Sequence, residues 1–344
     1  TRALIVSAVL TLSFTVTILG FMMVSQLESR DRVRQFNANA EFATREIQRR
    51  LVGYEEFSQI LRSFFDSSTD VSRADFRGVV YNWLLAHPEV TVVEWAPLIT
   101  HEERSLWEQK LSSDIGIARL IQRIGENRQL LTANEQLEYL PLDFIEPPAV
   151  QRHMFGIDLL TSAQHKNILQ AITESSHPTL MPQQINSAST LSMYTPIYKQ
   201  VAVNQQVWNN LKGFIILEID INKIMAYVEP HLSSSGQTLH LRDETTGFLL
   251  YGQPPEKYLV QLASKIKVNY HHNLGVGKKV WQVEVWPTST YITHSESWLT
   301  WMVLVIGLMG TSIAVSSTLI NSGRRQYLER AIAIHTSELQ ERNT

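Results

Sequence analysis

The sequence contains no cysteine. Disulfide frameworks, thiolate nucleophiles and thiolate metal sites are therefore excluded. It also has no Asn-x-Ser/Thr acceptor, which argues against a heavily glycosylated secretory origin. An excess of charge of one sign is missing as well, because 30 basic and 33 acidic residues leave a formal net charge of −3. A nucleic-acid partner is accordingly not expected.

Motifs of catalysis and cofactor binding are missing too. The sequence has no Gly-x-Ser-x-Gly elbow, no phosphate-binding glycine-rich loop and no His-Glu-x-x-His motif. Its 11 histidines are scattered. The adjacent pair His271 and His272 would point to opposite faces of a strand, so the two cannot chelate one ion. We therefore predict no catalytic site, no metal site and no cofactor in these residues.

Two long stretches carry no charge at all. Residues 3–27 and 297–323 are rich in Leu, Val, Ile and Met, and each exceeds the roughly 20 apolar residues that cross a bilayer. Trp298 and Trp301 lie at the leading edge of the second stretch, where an interfacial aromatic belt is expected. Basic residues from Arg324 onward follow it, which places the C-terminus in the cytoplasm. The sequence predicts a two-pass protein of the bacterial inner membrane with an extracytoplasmic middle region.

Between residues 33 and 64, apolar side chains recur at alternating spacings of four and three residues. They form a seam that only Arg50 interrupts: Phe36, Ala40, Ala43, Ile47, Tyr54, Phe57, Leu61 and Phe64. This spacing predicts a long stalk helix that continues out of the first membrane span. Two interpretations are open, because the seam could cover the domain of its own chain or face a second copy in a homodimer.

Further along the chain, runs rich in β-branched residues and bounded by turn signals predict strands. A first group covers residues 90–98, 141–145, 191–198 and 213–219. A second, smaller group covers residues 238–241, 247–251, 265–270 and 279–286. Helices are predicted between the strands of the first group. The expected fold class is α+β, with two successive units that each consist of an antiparallel sheet and helices packed on it.

Five short motifs follow the stalk in a defined order. They are Glu94-Trp95-Ala96-Pro97, Glu103-Arg104, Tyr139-x-Pro141-Leu-x-Phe144-x-Glu146-Pro147, Gly156-Ile157-Asp158-Leu159 and Pro196-Ile-Tyr198. In this order, and over residues 64–286, the sequence resembles the CHASE domain. That family is the extracytoplasmic sensor module of histidine kinases and nucleotide cyclases, and the plant cytokinin receptors are members of it.

The resemblance implies a stalk helix followed by two tandem PAS-like units, with the ligand in the membrane-distal unit. Combined with the apolar stretches, it predicts six segments along the chain. These are a transmembrane helix (1–27), a stalk helix (28–68), a distal unit (69–229), a proximal unit (230–296), a second transmembrane helix (297–323) and a cytoplasmic signalling helix (324–344).

The resemblance also implies ligand contacts. In cytokinin receptors the Asp of the Gly/Ser-x-Asp motif hydrogen-bonds an adenine-type ligand, and Asp158 stands at that position. The alternative is a loop residue that ties down the entry to the next helix. Tyr194 is either pocket wall or core, and Trp95 and Phe144 either line the cavity or are plain core. The expected ligand is a small molecule, planar and adenine-like in the narrowest form of the prediction.

These observations predict the sensory and transmembrane region of a sensor histidine kinase, homodimeric and without catalysis in the residues shown. Two alternatives stay open. The same sensor could control a diguanylate cyclase or phosphodiesterase, or the chain could be a membrane-anchored periplasmic binding or scaffold protein without an output domain.

Overall fold

The computed structural model describes residues 2–342 apart from 69, 126, 128, 149–151, 162, 176, 184–189, 200–209, 246, 267, 277–278 and 294–297. The chain divides into two compact units. One, here the terminal unit, comprises Thr1–Ala38 and Ser289–Thr344. The other, here the sensor unit, comprises Asn39–Thr288.

Eight α-helices are described, together with a short 3₁₀ turn at Arg152–Met154. The helices are α1 (Arg2–Ser67), α2 (Arg73–Ala86), α3 (Arg104–Ile115), α4 (Ala163–Ser175), α5 (Ile221–Ser234), α6 (Lys257–Ile266), α7 (Ser289–Thr293) and α8 (Trp298–Arg342). Local chemistry sets several of their ends. A reciprocal capping box between Ser72 and Asp75 begins α2, and the Asp220 side chain caps α5 by accepting from a backbone N–H.

The strands all pair antiparallel within four sheets. They are β1 (Val90–Pro97), β2 (Ile99–Thr100), β3 (Gln122–Ile124), β4 (Leu130–Thr132), β5 (Glu138–Tyr139), β6 (Phe144–Glu146), β7 (Thr179–Gln183), β8 (Thr190–Tyr198), β9 (Leu211–Asp220), β10 (Gln237–Asp243), β11 (Leu249–Tyr251), β12 (Tyr270–Val276) and β13 (Lys279–Pro287). The mixed fold, the long N-terminal helix and the antiparallel sheets are as the sequence predicted.

In the terminal unit, α8 packs on the first part of α1. Two helical segments are long and apolar enough to cross a membrane, Leu4–Ser67 and Ser289–Arg324. Gly307 lies directly against Thr17, where a side chain would collide. Close approach at small residues is the usual way in which membrane helices pair. Near the polar end of the same contact, the Thr300 hydroxyl donates to the Glu28 carboxylate.

The sensor unit is built on a five-stranded sheet of order β6-β1-β9-β8-β7. Its back face carries Trp95 and Phe144 and packs on α1 and α2. The ring of Trp95 lies 4.3 Å from that of Phe65 in α1, and the ring of Phe144 lies 5.4 Å from that of Phe76 in α2. Its front face contributes Ile216 and neighbouring side chains to a core shared with α3 and α4.

The apolar seam of α1 is buried within its own chain. Side chains along it are at most 4% exposed, including Ala43, Tyr54 and Leu61. Phe65 takes the last buried position, so the prediction of Phe64 was wrong by one residue. The seam therefore covers the domain of its own chain, which was the first of the two interpretations.

Arg50 interrupts the seam because it serves three partners at once. Its guanidinium donates to Glu46 at 3.1 Å and to the buried carboxylate of Glu89 at 2.9 Å, and it lies 3.5 Å from the ring centroid of Tyr227 in α5. Tyr54 donates to the same Glu89 oxygen. The interruption is thus an ion pair that joins the stalk helix to the turn before β1.

A second sheet, of order β11-β10-β13-β12, follows α5. Counted in chain order within each sheet, the five strands run second, first, fifth, fourth, third, and the four strands run second, first, fourth, third. The two sheets therefore share one topology, in which the first strand lies beside the last. The prediction of a strand at 265–270 was wrong, because α6 ends at Ile266 and β12 begins at Tyr270.

Candidate ligand site

The front face of the five-stranded sheet carries a group of polar side chains. In the strand register, Glu94 pairs with Ile216, Ile216 with Tyr194, and Tyr194 with Thr179. The next row places Glu218 opposite Ser192. Since side chains alternate between faces along a strand, these polar groups all share one face. We call Glu94, Ser192, Tyr194 and Glu218 the front-face cluster.

Two members of the front-face cluster each have a buried oxygen without a hydrogen-bond partner among the described residues. Glu94 is 3% exposed, and its Oε1 has no hydrogen-bond partner among the described residues. Ser192 is 0% exposed, and its hydroxyl likewise has none there. Buried polar atoms are normally satisfied, so an unpaired carboxyl oxygen and an unpaired hydroxyl on the same face of a sheet make that face a candidate site for another molecule. The sequence prediction included neither residue, although a glutamate inside the apolar strand 90–98 was the signal to follow.

The charge state of Glu94 follows from its surroundings. Burial raises the pKa of the Glu94 carboxyl well above its ordinary value, and the nearby Glu218 carboxylate raises it further. Both influences therefore favour the neutral form of the Glu94 carboxyl. A neutral carboxyl both donates and accepts a hydrogen bond, whereas an ionised one only accepts.

Tyr194 lies on the front face, in the same row as Glu94. Its ring is 5% exposed and meets the ring of Phe214 edge-on at 6.3 Å. It belongs to the hydrophobic core around Ile216. Its position is compatible with both sequence interpretations, pocket wall and core, and a ligand contact by Tyr194 remains a prediction.

Asp158 is fully engaged by its own chain. Its Oδ1 accepts from the backbone N–H groups of Leu140 and Leu160 at 2.8 and 3.0 Å, and its Oδ2 accepts from Gln136 at 3.1 Å. Burial raises the pKa of Asp158, and these hydrogen bonds oppose the rise. The arrangement ties the loop after β6 to the segment around Leu140. Holding this loop in place is the role that the alternative interpretation of Asp158 predicted. Ligand contact by Asp158 remains a prediction.

Trp95 and Phe144 lie on the opposite side of the sheet from Tyr194. They are direct cross-strand neighbours on the back face, where their rings pack against Phe65 and Phe76. A small molecule on one face of a sheet does not reach the other. The sequence prediction that joined all four residues in one pocket is therefore corrected. Trp95 and Phe144 pack against the stalk helix and α2 because odd positions of β1 face that way.

The motifs that carry the family resemblance hold the loops together. Glu103 accepts from the backbone N–H of Thr100 at 2.8 Å. Arg104 donates to the Tyr139 hydroxyl at 3.1 Å. Glu146 accepts from Arg77 at 2.9 Å. Their contacts are architectural. Glu94, the first residue of the first motif, differs from them, because its Oε1 has no hydrogen-bond partner among the described residues.

The part of the chain that the structure describes contains no group of three or more His, Asp or Glu side chains that could hold an ion. The Nδ1 of His271 lies 3.9 Å from the carboxylate of its strand neighbour Glu284.

A family comparison identifies the sensor unit. The model of the CHASE domain matches residues 69–251, just over half of the chain. The chain therefore belongs to the CHASE domain family, as its motifs predicted. The sensor unit thus contains a CHASE domain, and the chain also has two helical segments that are long and apolar enough to cross a membrane.

Three solved structures are similar in outline. An extracellular ligand binding receptor from Desulfohalobium retbaense is 8% identical with a TM-score of 0.46, and the match covers 73% of this chain and 40% of that one. The Pseudomonas aeruginosa amino acid chemoreceptor PctC, in complex with GABA, is 11% identical with a TM-score of 0.41, covering 74% of this chain and 99% of that domain. The Campylobacter jejuni chemoreceptor Tlp1 is 11% identical with a TM-score of 0.42, covering 80% and 99%. No curated protein sequence matches the chain.

Proposed function

We propose that this chain is the ligand-sensing and transmembrane signalling region of a two-pass receptor in a bacterial inner membrane. The small-molecule site lies on the front face of the five-stranded sheet, over Ile216. The observation that carries this proposal is the pair of buried, unpartnered polar groups on that face, Glu94 and Ser192. A bound molecule would supply the hydrogen bonds that the chain itself leaves unmade.

The two sheets of the sensor unit are PAS-like in this proposal. The shared strand order supports the assignment, because each sheet places its first strand beside its last. The five-stranded sheet is then the membrane-distal, ligand-binding unit, and the four-stranded sheet is the proximal one. The segment after β13 connects the proximal sheet to the second apolar helix through α7.

The output is proposed to be a histidine kinase. The support is the family, whose members carry sensors of this kind on kinases and cyclases. A diguanylate cyclase or phosphodiesterase is the main alternative, and a binding or scaffold protein without output is another. The coding sequence downstream of residue 344 separates the three.

A homodimer is part of the same proposal, although not through the apolar seam. That seam is buried, while the opposite side of α1 is exposed. Val52 is 44% and Ile60 58% exposed there, and a side chain at Gly53 would meet open space. A second copy is therefore proposed to pack on this outer side of the stalk helix.

The site is tested by ligand screening on the full chain in detergent micelles, with the thermal unfolding midpoint as readout. The panel contains amines, carboxylic acids, sugars and planar nucleobases, so that an adenine-like ligand is included. Any compound that raises the midpoint is then titrated calorimetrically. Removing the front-face hydroxyl in Ser192→Ala should weaken its binding about tenfold, since one hydrogen bond to the ligand is lost.

Thr195→Val is the matched control. Thr195 has the same burial and an equally unpaired hydroxyl, but it lies on the back face. Its removal should leave the dissociation constant unchanged. A panel without any stabilising compound, or equal losses in both variants, contradicts the proposed site.

A further inference from the structure

Glu94 and Ser192, whose buried oxygens have no hydrogen-bond partner among the described residues, lie far apart on the front face. Glu94 stands in the row of Ile216 and Tyr194, whereas Ser192 stands one row along, and β9 runs between their two strands. Two strand spacings of about 4.8 Å and one two-residue step of about 6.8 Å separate them. Their Cα atoms are therefore roughly 12 Å apart.

A single molecule that contacts both oxygens must extend across β9. Side chains stand roughly perpendicular to a sheet, so the two oxygens stay apart even when the longer Glu94 side chain leans toward Ser192. With a hydrogen bond of about 2.8 Å at each end, the polar atoms of the molecule are about 5–10 Å from each other. Two polar groups on neighbouring carbon atoms are too close together to reach both ends.

The surface beneath such a molecule is apolar at its centre. Ile216 is the strand partner of both Glu94 and Tyr194, and it belongs to the hydrophobic core. Glu218, opposite Ser192, interacts within its own chain, so the two polar contacts are assigned to Glu94 and Ser192 alone. Small-molecule sites commonly combine an apolar lining with a few well-placed polar groups.

We propose that the ligand of the front face is an elongated molecule with a hydrogen-bonding group at each end, one bound by Glu94 and the other by Ser192. Its apolar middle crosses β9 over Ile216. This inference rests on the proposed sensor function and names the shape and the chemical class of its ligand. Alcohol, phenol and amide groups suit both ends, because each donates a hydrogen bond to a carboxyl or hydroxyl oxygen.

The test uses neutral isomers that differ only in the spacing of their polar groups. The pairs are 4-(hydroxymethyl)phenol with 2-(hydroxymethyl)phenol, and 1,6-hexanediol with 1,2-hexanediol. Each compound is titrated against the full chain in detergent micelles, with the unfolding midpoint and calorimetry as readouts. At least one end-to-end isomer, the first of each pair, should bind about tenfold more tightly than its partner, which reaches only one of the two oxygens.

Two substitutions identify the ends of the site. Ser192→Ala and Glu94→Met each remove one hydrogen-bonding group, and methionine keeps the length of the glutamate side chain. Each should weaken binding of an end-to-end isomer about tenfold, and the double variant about a hundredfold, since sites this far apart act additively. Benzyl alcohol has one polar group and should respond to only one of the two substitutions. Thr195→Val, on the back face, should change none of these affinities.

The outcomes distinguish this inference from the proposed function. Isomers that bind equally well in a Ser192-dependent way overturn the inference and leave the sensor site in place. The same holds for a compound of the wider panel whose affinity depends on Ser192 but not on Glu94. The isomer comparison is made on the natural chain, so it decides even if Glu94→Met does not fold.

If none of the isomers binds, a compound from the wider panel takes their place. Its affinity should fall in both single variants, and a fall in only one of them overturns the inference. Binding that is indifferent to both substitutions, or a panel without any bound compound, contradicts the proposed site and the inference together.

Discussion

At the scale of single residues, Glu94 links the stability of the sensor to pH. Its pKa is raised in the folded chain, so the folded state binds a proton more tightly than the unfolded state does. The free energy of unfolding should therefore fall as the pH rises above about 4.5, the ordinary value of a glutamate. Burial raises the pKa of Asp143 to about 6, which adds a fall of the same sign.

Glu94→Gln isolates the contribution of Glu94. We expect the variant to lose stability less steeply than the natural chain between pH 5 and pH 8, because its amide does not titrate. Thermal unfolding midpoints of the ligand-free chain across that range measure the difference. If the midpoint falls equally with pH in the two proteins, Glu94 is already ionised in the ligand-free chain. That outcome would contradict the rise in its pKa that its surroundings cause.

Asp158→Ala should destabilise the chain. Two backbone N–H groups and the Gln136 amide lose their acceptor, and buried donors without partners cost about 1–3 kcal/mol each at most. Denaturant unfolding measures the loss, with Glu135→Ala as control, because Glu135 is an exposed carboxylate directly before Gln136. A stable Asp158→Ala protein that no longer binds an identified ligand would instead assign Asp158 to the site.

The sequence led to some of these residues and concealed others. Asp158 was found because its motif is characteristic of the family, yet its hydrogen bonds in the structure hold a loop in place. Trp95 and Phe144 were found as strand aromatics, but a face is assigned only when the partner strands are known. Glu94 was visible as a charge within an apolar strand. Its position in the row next to that of Glu218 depends on strand register, which a local sequence pattern does not reveal.

At the scale of elements, the stalk helix depends on Arg50. Arg50→Met removes the charged partner of Glu89, whose side chain is fully buried. Leaving such a carboxylate without its cation should cost about 3–5 kcal/mol. Chemical denaturation of the full chain measures this loss.

Arg49→Met provides the control on the same helix turn. Arg49 also pairs with Glu46, but its side chain is 73% exposed. Exposed pairs contribute about 0–1 kcal/mol, so this variant should unfold close to the natural chain. Similar losses in the two variants would mean that the Glu89 contact contributes no more than a surface ion pair.

Strand β9 approaches β1 so closely at Gly213 that only glycine fits there. A Cβ on Gly213 would collide with the carbonyl oxygen of Ala96 and would lie 2.7 Å from the Trp95 ring. Gly213→Ala should therefore destabilise the sensor unit by about 1–3 kcal/mol. Gly275→Ala in β12 is the matched control, since a Cβ there meets nothing within 4 Å. Unfolding midpoints that are equal in both variants would contradict the close approach.

Elements with strong local patterns were predictable, and those that depend on distant partners were not. The strands β1, β8, β9 and β13 appear within two residues of the predicted ends, because runs of β-branched and aromatic residues fill them. Strand β12 was missed, since His271, His272 and Asn273 give it an exposed polar pattern. It forms a strand because the edge of β13 offers unpaired backbone N–H and C=O groups. The position of that edge is set by the tertiary structure and not by the local sequence.

At the scale of the whole molecule, the absence of cysteine makes the proposed dimer directly testable. Single-cysteine variants at Val52 and Ile60 should form disulfide-linked dimers in membranes under mild oxidation, since both sites are on the exposed side of α1. Ala43→Cys is the control, because its side chain is buried within the chain. Gel electrophoresis without reductant separates the species. Disulfide-linked dimers that form only in the Ala43→Cys variant would show that the interface is the apolar seam instead.

The general architecture was predictable at this scale because several signals agree. Two uncharged stretches, a stalk seam and an ordered set of motifs all indicate an anchored sensor. The choice between the two uses of the seam was not predictable. Both place the same apolar side chains out of water, and only the position of the sheet shows which surface covers them.

Glu94 and Trp95 are consecutive residues on opposite faces of one strand. The carboxyl of the first lies where a ligand is proposed to bind, and the indole of the second rests on Phe65 in the last turn of α1. A single peptide unit therefore joins the binding surface to the stalk. In the proposed receptor, a backbone rotation that accommodates a ligand at Glu94 would therefore also turn the indole that rests on the stalk helix.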